Sequence, residues 1–255
     1  MGQQSGTRSR GVGPLALVGG EEFLPGNEPH DELLVTAGQR LGTDRPAFVI
    51  ATAAARQGPD RAVETARAWF GALGLRVEEL ELRTRGQARS EAIARQAERG
   101  RFFYLCGGDP GLVVATLRGT PAWEAVLGAW RRGAPLAGSS AGAMALGEWT
   151  LIRARVPGDA RRQPRESLSV VPGVAVVPHF AEFGHRWVPS AKEALAARDA
   201  TLLGIDVRTA AVLVGGVWRV LGAGAVTVMS GGHERRFAAG DVVHGFPRPA
   251  DGVGR

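Results

Sequence analysis

Apolar residues along this chain come in short runs that stop at turn residues, and between the runs they recur at helical spacing. The runs are PLALVGG (14–20), AFVIATAAA (47–55), LRVEELEL (75–82), RFFYLCGG (101–108) and APLAGSS (134–140). Each has strand length and ends in turn residues, so five strands are predicted. In DRAVETARAWFGALG, Ala62, Val63, Ala66, Phe70 and Leu73 share one helical face, and Gly74 suits the stop. In TPAWEAVLGAWRRG, Pro121 suits the first turn after Thr120. Trp123, Val126, Leu127 and Trp130 follow at helical spacing, a stripe that reads as core. Strand and helix alternate, which predicts an α/β fold of three layers, a mainly parallel sheet with helices on both faces. TAAVLVGGVWRVLGAGAVTVMSGG breaks that rhythm, with short β-rich runs parted by GG, GAGA and SGG. It reads as an antiparallel β meander added to the sheet edge. The expected organisation is one domain over 14–245, with flexible tails at 1–13 and 246–255.

Composition narrows the function classes. Cys106 is the single cysteine, so a disulfide framework and a cysteine zinc site are excluded. No apolar stretch is long enough to cross a bilayer, and MGQQSGTRSRGVG lacks the apolar core of a signal peptide. A cytoplasmic protein with no membrane partner is expected. The net charge is +6 and almost all of the basic charge is arginine, since Lys192 is the only lysine. The densest cluster, DARRQPRES at 159–167, reads as an exposed loop. A nucleic-acid footprint needs a clustered basic stripe with stacking aromatics, and neither is visible, so no nucleic-acid partner is expected. The charge suits acidic small substrates instead. The apolar meander offers an edge at which a homodimer could form.

The candidate chemistry centres on GSSAGA (138–143). Gly-x-Ser-x-Gly fits one register only, Gly138-Ser139-Ser140-Ala141-Gly142, which makes Ser140 the candidate nucleophile. The bland alternative is a small-residue turn between strand and helix. A serine needs a base. His30 reads as part of a polar loop, His185 sits in a polar stretch, and His233 and His244 lie in the terminal β region. His179 differs, because GVAVVPHF puts it at the end of an apolar run. Strand C-termini of a parallel sheet share one edge, so Ser140 and His179 can meet there. CGGDPG (106–111) also ends a strand and opens a helix, where glycine N–H groups can approach a bound oxygen. The histidines have no ligand spacing, so no metal is expected.

GGD, GSSAGA and PHF in that order resemble the serine peptidase family of dipeptidase E and cyanophycinase, which belongs to the class I glutamine-amidotransferase-like folds. VPGVAVVPHF, LLGIDVRTAAVLVGGVWRVLGAGAVTV and LALVGGEEF extend the likeness over roughly residues 14–230. Asp109 makes the cyanophycinase-like branch the nearer one. The resemblance implies a flavodoxin-like sheet and a serine-type peptidase that cleaves short peptides or peptide-like amides without a cofactor. It implies Ser140 as nucleophile, His179 as general base, and the Gly108 and Ala141 N–H groups as oxyanion donors. Gly107, Asp109 and Ser139 are the expected substrate contacts. Val207 stands where the family commonly has glutamate, so the acid that orients His179 is left open among Asp206, Glu182 and Glu166. The rival reading is a catalytically weak or inactive small-ligand binder on the same scaffold. An α/β-hydrolase esterase is disfavoured, because only thirty-nine positions separate Ser140 from His179.

Overall fold

The computed structural model of the chain describes residues 11–153 and 161–249. Its first half alternates strand and helix. The elements are β1 (Leu15–Val18), α1 (Glu28–Gln39), β2 (Phe48–Ile50), α2 (Pro59–Ala72), β3 (Glu78–Glu79), α3 (Arg85–Ala88) and α4 (Glu91–Glu98). Next come β4 (Phe103–Leu105), α5 (Pro110–Leu117), α6 (Pro121–Arg131), β5 (Leu136–Ser139) and α7 (Ala141–Leu146). The second half is β6 (Gly147–Arg153), β7 (Arg162–Glu166), β8 (Val171–Val177), α8 (Val188–Leu195) and β9 (Thr201–Ile205). It closes with β10 (Thr209–Val214), β11 (Val217–Gly222), β12 (Ala225–Ser230) and β13 (His233–Ala238).

Two mixed sheets result. The first runs β11-β10-β1-β5-β4-β2-β3, parallel from β1 to β3 and antiparallel at β10 and β11. The second runs β13-β12-β9-β8-β6-β7, with β6, β8 and β9 parallel. The α/β class with helices on both faces is therefore present. One side of the first sheet buries Val18, Val49 and Tyr104 with Phe70 of α2 and Leu34 of α1. The other buries Leu17, Ile50 and Leu105 with the Trp123, Val126, Leu127 and Trp130 stripe of α6. Phe70 stands edge-on to Tyr104 at 5.3 Å and to Phe102 at 5.0 Å, the geometry aromatic pairs prefer. All six residues of α7 are buried, between β5 of one sheet and β6 and β8 of the other. A helix enclosed by two sheets must be apolar and small all round, which AGAMAL is.

Four expectations need correction. LRVEELEL contributes only Glu78–Glu79 to the sheet, although Leu75, Val77, Leu80 and Leu82 are all buried. It sits at the edge beside the three-residue β2, which offers little backbone to pair with. The closing meander is divided, because β10 and β11 extend the first sheet while β9, β12 and β13 belong to the second. The described part of the arginine-rich segment is an edge strand, β7, paired antiparallel with β6. Pro164 within it is compatible with an edge position. Finally, the tails are not loose throughout. The Gly13 N–H donates to Trp130 O at 2.9 Å, and Phe246 packs edge-on against Trp218, whose indole N–H donates to Pro247 O at 2.9 Å. The expectations for 1–10, 159–160 and 250–255 lie outside the described residues.

Candidate active site

Parallel strands bring their C-terminal ends to one edge, and the chemistry collects there. Ser140 follows β5 directly and has φ 48° and ψ −108°, a conformation disfavoured for a residue with a side chain. The turn is held by close packing. A Cβ at Gly138 would lie 2.5 Å from the Gly142 carbonyl carbon, and one at Gly142 would lie 2.5 Å from Leu105 O. Glycine at both positions lets α7 leave β5 sharply and pass close to β4. The Ser140 N–H donates to Val18 O at 2.9 Å, which ties the strained residue to β1.

His179 ends the run after β8. Its Nε2 lies 3.3 Å from Ser140 Oγ, and its Nδ1 lies 3.3 Å from Glu182 Oε2. Both are at the long end for hydrogen bonds. His179 also has positive φ, 49°, with its N–H donating to Gly19 O at 2.8 Å and its carbonyl accepting from Phe183 and Gly184. The Phe183 ring stacks on the imidazole at a centroid distance of 4.9 Å and 18° between planes. On another side the ring meets the backbone of Gly20, where φ is +121° and any Cβ would collide with Nε2. The ring is thus oriented by two polar contacts and two packing contacts.

Of the three candidate acids, Glu182 is the one at His179. Asp206 is occupied elsewhere. Its Oδ1 accepts from the Ala181 N–H at 3.1 Å, and its Oδ2 accepts from the Ala225 N–H at 3.0 Å and from Arg236 at 3.3 Å. It braces the segment after His179 rather than touching the ring. Glu166 is an exposed residue of β7 paired with Arg118 at 2.6 Å.

The expected substrate contacts also sort apart. Asp109 caps α5, its Oδ1 accepting from the Leu112 N–H at 3.2 Å, and lines a cavity of about 1330 Å³ beside Gly108. Gly107 and Ser139 do not face that cavity with their polar groups. The Gly107 N–H and the Ser139 hydroxyl both donate to the carboxylate of Glu22, each at 2.7 Å. The Gly108 N–H has no acceptor among the described residues, and Ala141 opens α7, where the first N–H groups have no intrahelical acceptor.

Glu22 was not singled out from the sequence, although GGEE directly follows β1 and so falls on the active edge. The cavity lining was missed as well. Arg56, Arg118, Arg162, Arg165 and Arg198 line it, and Asp109 and Glu166 are the acidic residues in that lining among the described residues. These arginines come from four separate stretches of chain, so no cluster in the sequence announces them. Arg162 stacks over Trp187 at 3.7 Å, and Trp187 packs on Phe183, which touches His179.

Behind the Ser139 side lies a buried polar cluster. His30, expected in a loop, is on α1 and fully buried beside Asp31. Burial pushes the Asp31 carboxyl up to about 8, against the Trp69 indole N–H that donates to it, with Glu22 and Glu28 adding to the rise. Burial pushes His30 down to about 4, with Glu28 opposing. At neutral pH both groups are therefore uncharged, and their 3.7 Å approach is not an ion pair. Cys106 is also buried, and burial raises its thiol far above the usual range, so it is no rival nucleophile.

Comparison with known proteins places the family and the fold. The model of peptidase family S51 matches residues 16–221. Cyanophycinases of Trichormus variabilis and Nostoc sp. are each 28% identical over 220 residues, which is 84% of this chain and 72% of theirs. The crystal structure of a peptidase from an acI-B1 actinobacterium superposes with a TM-score of 0.80 at 30% identity, covering 92% of this chain and 98% of that one. A putative peptidase E from Listeria monocytogenes EGD-e, at 16% identity and a TM-score of 0.52, shares the fold over 89% of this chain and 98% of its own. No helix among the described residues is long and apolar enough to cross a membrane.

Proposed function

Starting from the fact that the chain belongs to peptidase family S51, we propose that it is a serine-type peptidase acting on short peptides or peptide-like amides that carry carboxylates. The observation that carries this reading is the strained Ser140 with its Oγ 3.3 Å from His179 Nε2. In the first step His179 Nε2 takes the Ser140 proton as Oγ attacks the scissile carbonyl carbon. The carbonyl π pair moves onto oxygen, and the oxyanion accepts from the Gly108 and Ala141 N–H groups. The C–N bond then breaks, and the Nε2 proton passes to the leaving amine. Water, deprotonated by the same nitrogen, hydrolyses the acyl-enzyme and returns the proton to Ser140. Glu182 steadies the imidazolium through Nδ1. The arginines of the adjoining cavity supply forked donors for substrate carboxylates.

A fluorophosphonate probe tests the reading. Wild type is expected to be labelled stoichiometrically and Ser140→Ala not at all. Wild type that resists the probe, under conditions that label a known serine hydrolase, refutes the mechanism in favour of a small-ligand binder. Comparing hydrolysis of peptides with and without side-chain carboxylates then tests the substrate class. Equal rates on both would remove the role given to the arginines.

A further inference from the structure

We propose that Glu22 is a positioning residue of this site, one carboxylate that sets the distance between the oxyanion donor at Gly108 and the nucleophile at Ser140. The proposal rests on the serine-peptidase reading above. Its basis is a bridge across the active edge. Oε1 accepts from the Gly107 N–H and Oε2 from the Ser139 hydroxyl, both at 2.7 Å. Hydrogen bonds to an ionised acceptor at this length are the strong ones. The two donors immediately precede the two residues whose mutual geometry matters. Gly107 shares a peptide plane with the Gly108 N–H, and Ser139 precedes Ser140. They lie 85 and 117 residues along the chain from Glu22, at the ends of two different strands. β4 and β5 are paired, but their ladder ends at Leu105 and Gly138. Beyond that point the sheet no longer fixes one turn relative to the other, and the carboxylate takes over.

The loop that presents Glu22 is itself anchored on both flanks. Glu21 pairs with Arg208 at 2.7 Å, the Arg208 N–H donates to Gly20 O at 2.9 Å, and Asn27 Nδ2 donates to Glu21 O at 2.8 Å. Glu21 and Phe23 are both held at positive φ, 54° and 64°. Strain of that kind on either side of one residue persists only where the surroundings enforce it. The same loop supplies Gly19 O to the His179 N–H and the Gly20 surface to its ring. One loop thus touches the base, the nucleophile's neighbour and the oxyanion turn. The charge of Glu22 gives the oxyanion no help, since a carboxylate near a developing negative charge opposes it. Its contribution must come through geometry.

The test uses the full chain and the kinetics of fluorophosphonate inactivation, which separate the maximal rate of bond formation from probe affinity. Glu22→Gln keeps the size and one acceptor but turns an amide toward the second donor. It should lower the maximal inactivation rate by about tenfold to a hundredfold with probe affinity within about threefold of wild type. Ser139→Ala, which removes one of the two bonds, should show a smaller loss of the same kind and serves as the deciding variant if Glu22→Gln does not fold. A folded variant whose maximal rate stays within about threefold of wild type overturns the proposal while leaving the peptidase reading intact. A loss confined to probe affinity overturns it too, because misplacement of the oxyanion donor acts on the bond-forming step. Wild type that is never labelled removes the peptidase reading and this proposal with it.

Discussion

The two halves of the site are built differently. In the half that carries the proposed nucleophile, Gly138, Ser139 and the α7 residues after Ser140 are buried between two sheets, and bonds of 2.7 Å through Glu22 tie Ser139 to Gly107. The base half hangs on the segment after β8. There the polar contacts are 3.3 Å long, the Glu182 side chain is 45% exposed and Phe183 is 39% exposed. A backbone locked by packing tolerates no side-chain change, whereas a partly solvated ring can readjust. Both halves hold a residue at positive φ, Ser140 and His179, and the difference teaches that the first is fixed by packing on every side while the side chains around the second retain access to water. Arg162, Trp187 and Phe183 form a chain of stacked groups from the cavity to His179.

The sharpest break in this contrast comes from removing the base. His179→Ala should cut the rate of fluorophosphonate labelling by about three to four decades with only a small drop in melting temperature, since the ring, 21% exposed, lies at the rim of the site and outside both apolar clusters. A large drop in melting temperature would show that the base half is as structural as the other. Gly142→Ala tests the opposite claim. The added methyl must displace Leu105 O, so a loss of about 2–4 kcal/mol in urea denaturation is expected, with labelling lost alongside. Near-normal stability would mean that the elbow is not locked by packing.

Stability against pH sharpens the comparison further. Asp31 binds a proton more tightly when folded, with its pKa raised from 3.8 to about 8, so its contribution makes stability fall as pH rises through that range. His30 has the opposite sign. Its pKa is lowered from 6.5 to about 4, so its contribution makes stability rise between those values. The two slopes offset each other up to pH 6.5, and above it only the Asp31 decline remains. From pH 6.5 to 8 the protein should lose about 2 kcal/mol at most, and Asp31→Asn should flatten that stretch of the curve. A decline that persists in the variant would assign it to other groups. The smallest effect expected is that of Glu182→Gln, about tenfold in labelling rate with no change in stability, because a carboxylate so exposed to water stabilises the imidazolium weakly. A loss of three decades would place Glu182 in a drier environment than its exposure suggests.

Much of this was visible along the chain. The helix faces of α2 and α6, the strand at each glycine-ended run and the Ser140 register follow from local periodicity and from the steric demands of a tight turn, both of which act over a few residues. Glu182 could be named as a candidate acid but not chosen over Asp206, because the choice depends on which way two side chains point from opposite ends of one segment. Glu22 had the right place after β1, yet nothing local connects it with Gly107 or Ser139. His30 looked like a loop residue because NEPHDE is polar, and its burial reflects what packs on α1 rather than anything in its neighbours.

By itself the sequence determined the alternation of strand and helix, the glycines that permit the elbow, and the serine and histidine that the family's motifs contain. Those are properties of short stretches, where backbone sterics and side-chain period decide. Only the tertiary structure decided which sheet each closing strand joined and which carboxylate met His179. It alone assembled five separate arginines into one cavity and brought Glu22 across the gap between two strand ends. Each of those outcomes is a contact between residues far apart in the chain, set by how whole layers pack, and local pattern carries no record of it.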